Sequence, residues 1–214
     1  MIERDYIMRM ISQLTQVLTR VLLHKQAHEY PIARMELEAA YKSLLGLKPE
    51  ILAQFSDAQL IEMFGGDEDI KATKSYVLGS LMKEEGEILL LEGNADASDQ
   101  MFLRAINMLL FSFNWAGNEA EPGHLDKIDS VLLNLHGAEF PVHVDEQLLK
   151  CYETTGRYDK AENVLFELVE TDPSWIKKGL AFYQRLLQLS DEQLASGGFS
   201  RDEIVQGIED LKQK

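Results

Sequence analysis

Residues 148–173 read LLKCYETTGRYDKAENVLFELVETDP, and their spacing decides the fold. Written as Leu148-x3-Tyr152-x3-Gly156-x-Tyr158-x2-Ala161-x3-Leu165-x2-Leu168-x4-Pro173, the stretch sets apolar residues at helical intervals on both sides of a glycine. Leu148 and Tyr152, four apart, share one face of a first helix, and Gly156 admits the positive φ of a tight helix end. Tyr158 fills the wedge at the turn. Ala161 is small enough for a second helix to approach the first closely, while its neighbour Glu162 is expected to face water. Leu165 and Leu168 continue the buried stripe, and Pro173 suits the first turn of a third helix, where its missing N–H costs nothing. Helices are therefore expected over 141–155 and 158–171, with another starting at Pro173.

A weaker copy reads Gly86-x2-Leu89-x3-Gly93-x4-Ser98-x3-Phe102-x2-Ala105. It supplies a small crossing residue, a turn glycine and a second-helix aromatic at the same intervals, but has no closing proline and carries Glu85 at an expected apolar position. A third trace, Leu37-x3-Tyr41-x2-Leu44-x4-Pro49, fits only the second helix of a pair. One helix pair cannot bury its own apolar face, so such units are stable when stacked, usually three or more together.

The rest of the chain is read in the same way. Tyr6, Ile7, Met10, Ile11, Leu14, Val17, Leu18, Val21 and Leu22 form a broad helical stripe, giving one long helix over 3–28. A second helix opens at Pro31 and ends at Gly46 and Pro49. Ser56 with Gln59, Ser190 with Gln193 and Ser200 with Glu203 read as capping boxes. Further helices are expected near 70–92, stopped by Gly93, and near 97–115, 124–135 and 201–211. No alternating β-branched strand occurs. Residues 115–123, rich in glycine, proline and polar groups, form the clearest loop and a candidate hinge.

The strong motif resembles a tetratricopeptide repeat, matching it at eight positions. Two departures stand out: Asp145 where that family has a large apolar residue, and Leu149 where a small one lets the helices cross closely. Through its Met1-Ile-Glu-Arg-Asp-Tyr-Ile-Met-Arg-Met start and its Gly197-Gly-Phe-Ser-Arg-Asp-Glu tail, the whole chain also resembles an uncharacterised bacterial family of tetratricopeptide-like proteins. That second resemblance implies no activity. Together they imply an all-α fold, a right-handed α-solenoid of antiparallel helix pairs with atypical N- and C-terminal capping helices. It would form a single helical-repeat domain over 1–214, with the hinge separating halves 1–114 and 124–214. Repeats of this kind bind ligands on the concave face of their first helices. The matching positions are His143, Glu146, Lys150 and Glu153 in the strong copy and Lys83, Glu87 and Leu90 in the weak one.

Composition narrows the function classes. The apolar share of 45% is that of an ordinary folded domain. The longest strictly apolar runs, such as Ile88–Leu91, reach four residues, against roughly 20 needed to cross a bilayer. The N-terminus places two acids ahead of any apolar stretch, unlike a secretory signal, so a cytoplasmic location is expected. A net charge of -15 repels nucleic acid and anionic lipid surfaces. That charge is uneven: residues 1–50 carry seven Lys/Arg against six Asp/Glu, and residues 51–100 three against eleven.

The candidate chemistry is thin. Cys151 stands alone, cannot form an intrachain disulfide, and reads as a small buried hydrophobe; His143 lies about 12 Å away along the helix. His24 and His28 have the spacing of two imidazoles sharing a metal, but two ligands make no site, the other histidines (His124, His136 and His143) are far along the chain, and the pair reads as plain surface histidines. Asp67-Glu-Asp69 suits a helix N-terminus better than a calcium loop, and Glu84, Glu85, Glu87 and Glu92 read as a solvated face. No cofactor is expected and no enzyme. The expectation is a protein or peptide interaction scaffold, followed by a homo-oligomer assembled through the stripe on residues 6–22, and then by a small-molecule enzyme.

Overall fold

The structure is a computed structural model that describes residues 2–117, 120, 121, 123–135 and 140–214. Asn118, Glu119 and Pro122 of the expected hinge, and His136, lie outside the described residues. Among the described residues there are twelve helices and no strand, so the fold is all-α. No helix among them is long and apolar enough to cross a membrane. The chain divides into two compact units, Met1–Glu139 and Phe140–Lys214.

The first unit holds α1 (Ile2–Gln26), α2 (Tyr30–Leu45), α3 (Pro49–Gln54), α4 (Asp57–Met63), α5 (Glu68–Leu91), α6 (Ala95–Ala116) and α7 (His124–Asn134). α1 buries Met10, Leu14, Val17 and Val21, the centre of the expected stripe, against α2 and α5. It stops at Gln26, and His28 beyond it takes a left-handed φ of 59°. The two histidines therefore do not share a helix. His24 pairs with Glu29 and His28 with the Tyr30 hydroxyl. α2 starts one residue before Pro31 and ends where Gly46, at φ 69°, donates its N–H to the Lys42 carbonyl. Its buried stripe is Leu37, Tyr41 and Leu44, the residues of the third trace. Pro49, expected to close that helix, opens α3 instead, since proline fits a helix start without losing a hydrogen bond.

Polar contacts set the helix directions. His24 with Glu29 and Arg20 with Glu36 run in opposite order along α1 and α2, so these two are antiparallel. Tyr41 with Glu85 and Arg34 with Glu92 set α2 antiparallel to α5. α5 and α6 form the tightest hairpin. A Cβ placed on Gly86 would lie 2.8 Å from the Phe102 ring, and one on Gly79 would lie 2.9 Å from Leu109. Ser98, fully buried, donates to the Gly86 carbonyl at 2.9 Å, and Gly93 turns the chain at φ 79°. Phe102 and Ala105 are fully buried, so the weak sequence copy marks a close helix crossing.

The second unit holds α8 (Val142–Thr154), α9 (Tyr158–Thr171), α10 (Trp175–Leu186), α11 (Asp191–Ser196) and α12 (Arg201–Gln213). Leu148 and Tyr152 are buried on α8, and Ala161, Leu165 and Leu168 on α9, with Gly156 at φ 70° between them. The third helix starts at Trp175, two residues after Pro173, because Asp172 accepts from the Ser174 N–H and hydroxyl and holds a turn there. α10 lies antiparallel to α9: Tyr183 meets Glu162, and Gly179 comes close to Leu165. Glu162 thus accepts the buried Tyr183 hydroxyl rather than facing water, which the motif spacing could not reveal. α12 crosses α10 in turn. Gly179 leaves room for Leu211, and Gly207 for the Tyr183 hydroxyl.

The serine caps mostly stand as read. Ser56 and Ser190 each form the full reciprocal box with Gln59 and Gln193. Ser200 differs: it accepts the Glu203 N–H but donates its hydroxyl to the Glu203 carboxylate, so the return bond goes to the serine side chain instead of its N–H. The Gly197 tail seats on the α8–α9 turn, where a Cβ on Gly197 would lie 2.3 Å from the Tyr158 ring. Arg201 fastens it by binding Asp191 and the Leu189 carbonyl.

Candidate functional site

A groove lies in the second unit between α8 and α10. Glu146, Lys150 and Glu153 line it from α8 with Leu149, while Trp175, Lys178, Ala181 and Arg185 line it from α10, around a volume of about 330 Å³. Two ion pairs span it. Glu146 meets Lys178 at 3.5 Å, and Glu153 takes the Arg185 guanidinium in a two-pronged contact at 2.5 and 2.8 Å. The hydrogen bond to Glu153 is the main reason the Arg185 pKa lies above its ordinary value. Both pairs join residues 32 apart, 146 to 178 and 153 to 185, so α8 and α10 advance in the same direction. The Lys178 ammonium also sits 3.5 Å from the Trp175 ring centre, a cation–π contact at one end of the groove.

Of the expected concave-face residues, Glu146, Lys150 and Glu153 come together here, whereas His143 is exposed outside the lining. Missed in the sequence were Trp175, Lys178 and Arg185. Their signal was present as the i, i+3, i+10 spacing of one helical face, but nothing local told that this face meets α8. The departing Asp145 is half-buried. Burial, then the Glu167 carboxylate, pushes its pKa up to about 6.

A groove of the first unit runs between α1 and α5 over about 600 Å³. Lys83 and Glu87 line it with Leu14, Leu18, Leu22 and Lys25. Lys25 and Lys83 each bind both Glu84 and Glu87, a charge-balanced cluster on the groove wall. Burial opposes the Lys25 ammonium, but Glu84 and Glu87 outweigh it and raise its pKa above the ordinary value. Burial likewise pushes Glu87 up, and the two lysines outweigh it and hold it low. Of the four glutamates, Glu84, Glu85 and Glu87 are half-buried rather than a solvated face, and Glu92 is exposed as expected. Glu85 accepts from the buried Tyr41 hydroxyl at 2.6 Å and Glu92 pairs with Arg34, so each of the four meets α1 or α2. Leu90, the remaining expected residue, is exposed one turn beyond Glu87 and outside the lining.

His124 is a buried histidine of the first unit. It is buried between the Tyr76 and Phe113 rings, with Nε2 3.0 Å from the Leu109 carbonyl, and burial lowers its pKa to about 4. Asp67 caps α5 by accepting the Ile70 N–H, which places the acidic triplet at a helix start as expected. Cys151 is fully buried within α8. No group of three or more metal-ligating side chains converges among the described residues.

Comparison with curated proteins and with solved structures finds no match. A family model, by contrast, matches residues 1–214, and its extent shows that the chain belongs to DUF6483, a family of unknown function.

Proposed function

We propose that the protein is an interaction scaffold, a tetratricopeptide-like right-handed solenoid capped by atypical terminal helices, whose α8/α10 groove holds a peptide segment of a protein partner. The observation that carries this reading is the constant offset of 32 residues between α8 and α10, close to the roughly 34-residue period of such repeats. A first helix, a returning helix and a second first-type helix in the original direction are what stacked pairs produce, and they leave the α8 and α10 faces side by side. α1, α2 and α5 follow the same order, with α3 and α4 inserted between the second and third. An apolar strip of Leu149 and Ala181 between charged rims suits a peptide of mixed character.

Self-assembly through residues 6–22 is the second reading. Its support is the exposure of Tyr6, Met8 and Leu22, and it is weakened by the burial of Met10, Leu14, Val17 and Val21 inside the first unit. The net charge favours protein over nucleic acid or membrane as the partner, and the single cysteine fits a reducing, cytosolic setting. The test is affinity capture from the source cell with the native chain and with Lys150→Glu/Lys178→Glu as baits. A partner held by the native chain and lost from the folded variant supports the groove. The same partners on both baits would reject it, and a solution mass of a defined oligomer with no partner would favour self-assembly.

A further inference from the structure

A third hollow, independent of the peptide groove, opens to the surface of the first unit at the start of α5, beside the α1/α5 groove, with a volume of about 730 Å³. One wall is apolar, formed by Ile7, Met8 and Ile11 of α1. Trp115, near the end of α6, also lines it and is 51% exposed. That exposed indole is not loose: its Nε1–H donates to Asp69 Oδ1 at 2.8 Å, which fixes the ring and leaves Oδ2 for another donor. His124 forms a further part of the lining. Its Nε2 contact to the Leu109 carbonyl places the ring proton on that nitrogen, so Nδ1 is an acceptor. Burial keeps the ring neutral near pH 7, so it adds no positive charge.

The charges select the ligand class. Arg4 stands in the lining against Asp69 and Glu121, within a protein of net charge -15. The positive end of α5 is already met by Asp67, which accepts the Ile70 N–H, and by Glu68 beside it. An anion finds two carboxylates here. A neutral apolar molecule would use the α1 wall but leave the lining with an excess of negative charge, Asp69 and Glu121 against Arg4 alone.

We infer that this cavity binds a small amphiphilic amine, its ammonium on Asp69 Oδ2 beside the face of the Trp115 indole and its hydrocarbon body along Ile7, Met8 and Ile11. Indole is the aromatic face that attracts cations best, and an adjacent carboxylate adds direct charge pairing. The six-carbon chain of hexylamine, protonated at pH 7, has both parts and serves as the probe.

The experiment follows the two indole N–H signals of the full-length protein by proton–nitrogen NMR, with Trp115 assigned through Trp115→Phe. Hexylamine is expected to shift the Trp115 signal saturably and to leave that of Trp175 in place. Hexanol and hexanoate, of equal length, should bind at least about ten-fold more weakly. Asp69→Asn should weaken hexylamine about ten-fold and leave hexanol unchanged, with a melting curve showing that the variant is folded. Should Asp69→Asn fail to fold, the three-ligand series on the native chain decides. Equal binding of hexanol and hexylamine, or no shift of the Trp115 signal at millimolar amine, would overturn the assignment.

Discussion

The hairpin of α8 and α9 carries the fuller repeat spacing, yet the hairpin of α5 and α6 packs the closer. In α8/α9 the crossing residue is Ala161, fully buried on a pair of helices whose outer faces remain polar. In α5/α6 the crossing residues are glycines, with Phe102 over Gly86 and Leu109 over Gly79. The difference comes from how many neighbours each helix has. α5 is packed by α1, α2, α4, α6 and α7, so from Ser75 to Met82 it is buried all round and shows no clean stripe. α8 packs mainly on α9, so its apolar residues fall on one side and the motif can be read. A clear motif therefore reports one-sided burial, not tight packing.

Substitution at the two crossings should show the contrast most strongly. Gly86→Leu must displace Phe102 and is expected to cost about 3 kcal/mol, against about 2 kcal/mol for Ala161→Leu. The exposed change Lys177→Ala should stay within about 0.5 kcal/mol and is a sounder control than Glu162, which holds Tyr183. Urea unfolding measures all three. A larger cost at Ala161 than at Gly86 would reverse the comparison.

Acid should separate the units by sign. His124, with its folded pKa lowered to about 4 from an ordinary 6.5, binds fewer protons folded than unfolded across that window. Its contribution, on the order of 3 kcal/mol, is present above pH 6.5 and is lost as pH falls through 4. His124→Phe should flatten the acid limb of stability against pH, read by amide exchange in α6 and α7. An unchanged limb would mean that the ring is not the acid-sensitive group.

The Lys25 cluster should rank next. Lys25→Met leaves Glu84 and Glu87 to Lys83 alone in a half-buried setting and is expected to cost about 2 kcal/mol, part of which returns in Lys25→Met/Glu84→Gln. If the double variant is no more stable than the single one, the loss is packing of the lysine stem rather than charge.

The smallest effect is a gain. Asp145 has a folded pKa raised to about 6 from 3.8, so the folded state loses stability as pH rises through that interval. Asp145→Asn should therefore stabilise the second unit at pH 7 by about 1 kcal/mol, after allowance for its partial exposure, and by nothing below pH 4. Thermal melts of both chains at pH 4 and pH 7 test this. A gain equal at the two pH values would mean that charge is not its cause.

Local chemistry was legible without coordinates. The helical class, the α9 limits of Tyr158 and Thr171, the turns at Gly46, Gly93 and Gly156, and the Ser56 and Ser190 boxes all depend on residues within four positions of each other. Much of each groove was legible as well, because Glu146, Lys150 and Glu153 share a face by helical spacing alone, as do Lys83 and Glu87. What lies opposite those faces was decided only in the folded chain. The pairing of Glu84 and Glu87 with Lys25 joins residues about 60 apart, and Glu162 meets Tyr183 across two helices. His124 is buried because α5 and α6 bring Tyr76 and Phe113 to it. A helix sequence specifies which residues share a side; which side another helix covers depends on packing between distant segments, and that packing determines which charges are buried, paired or shifted in pKa.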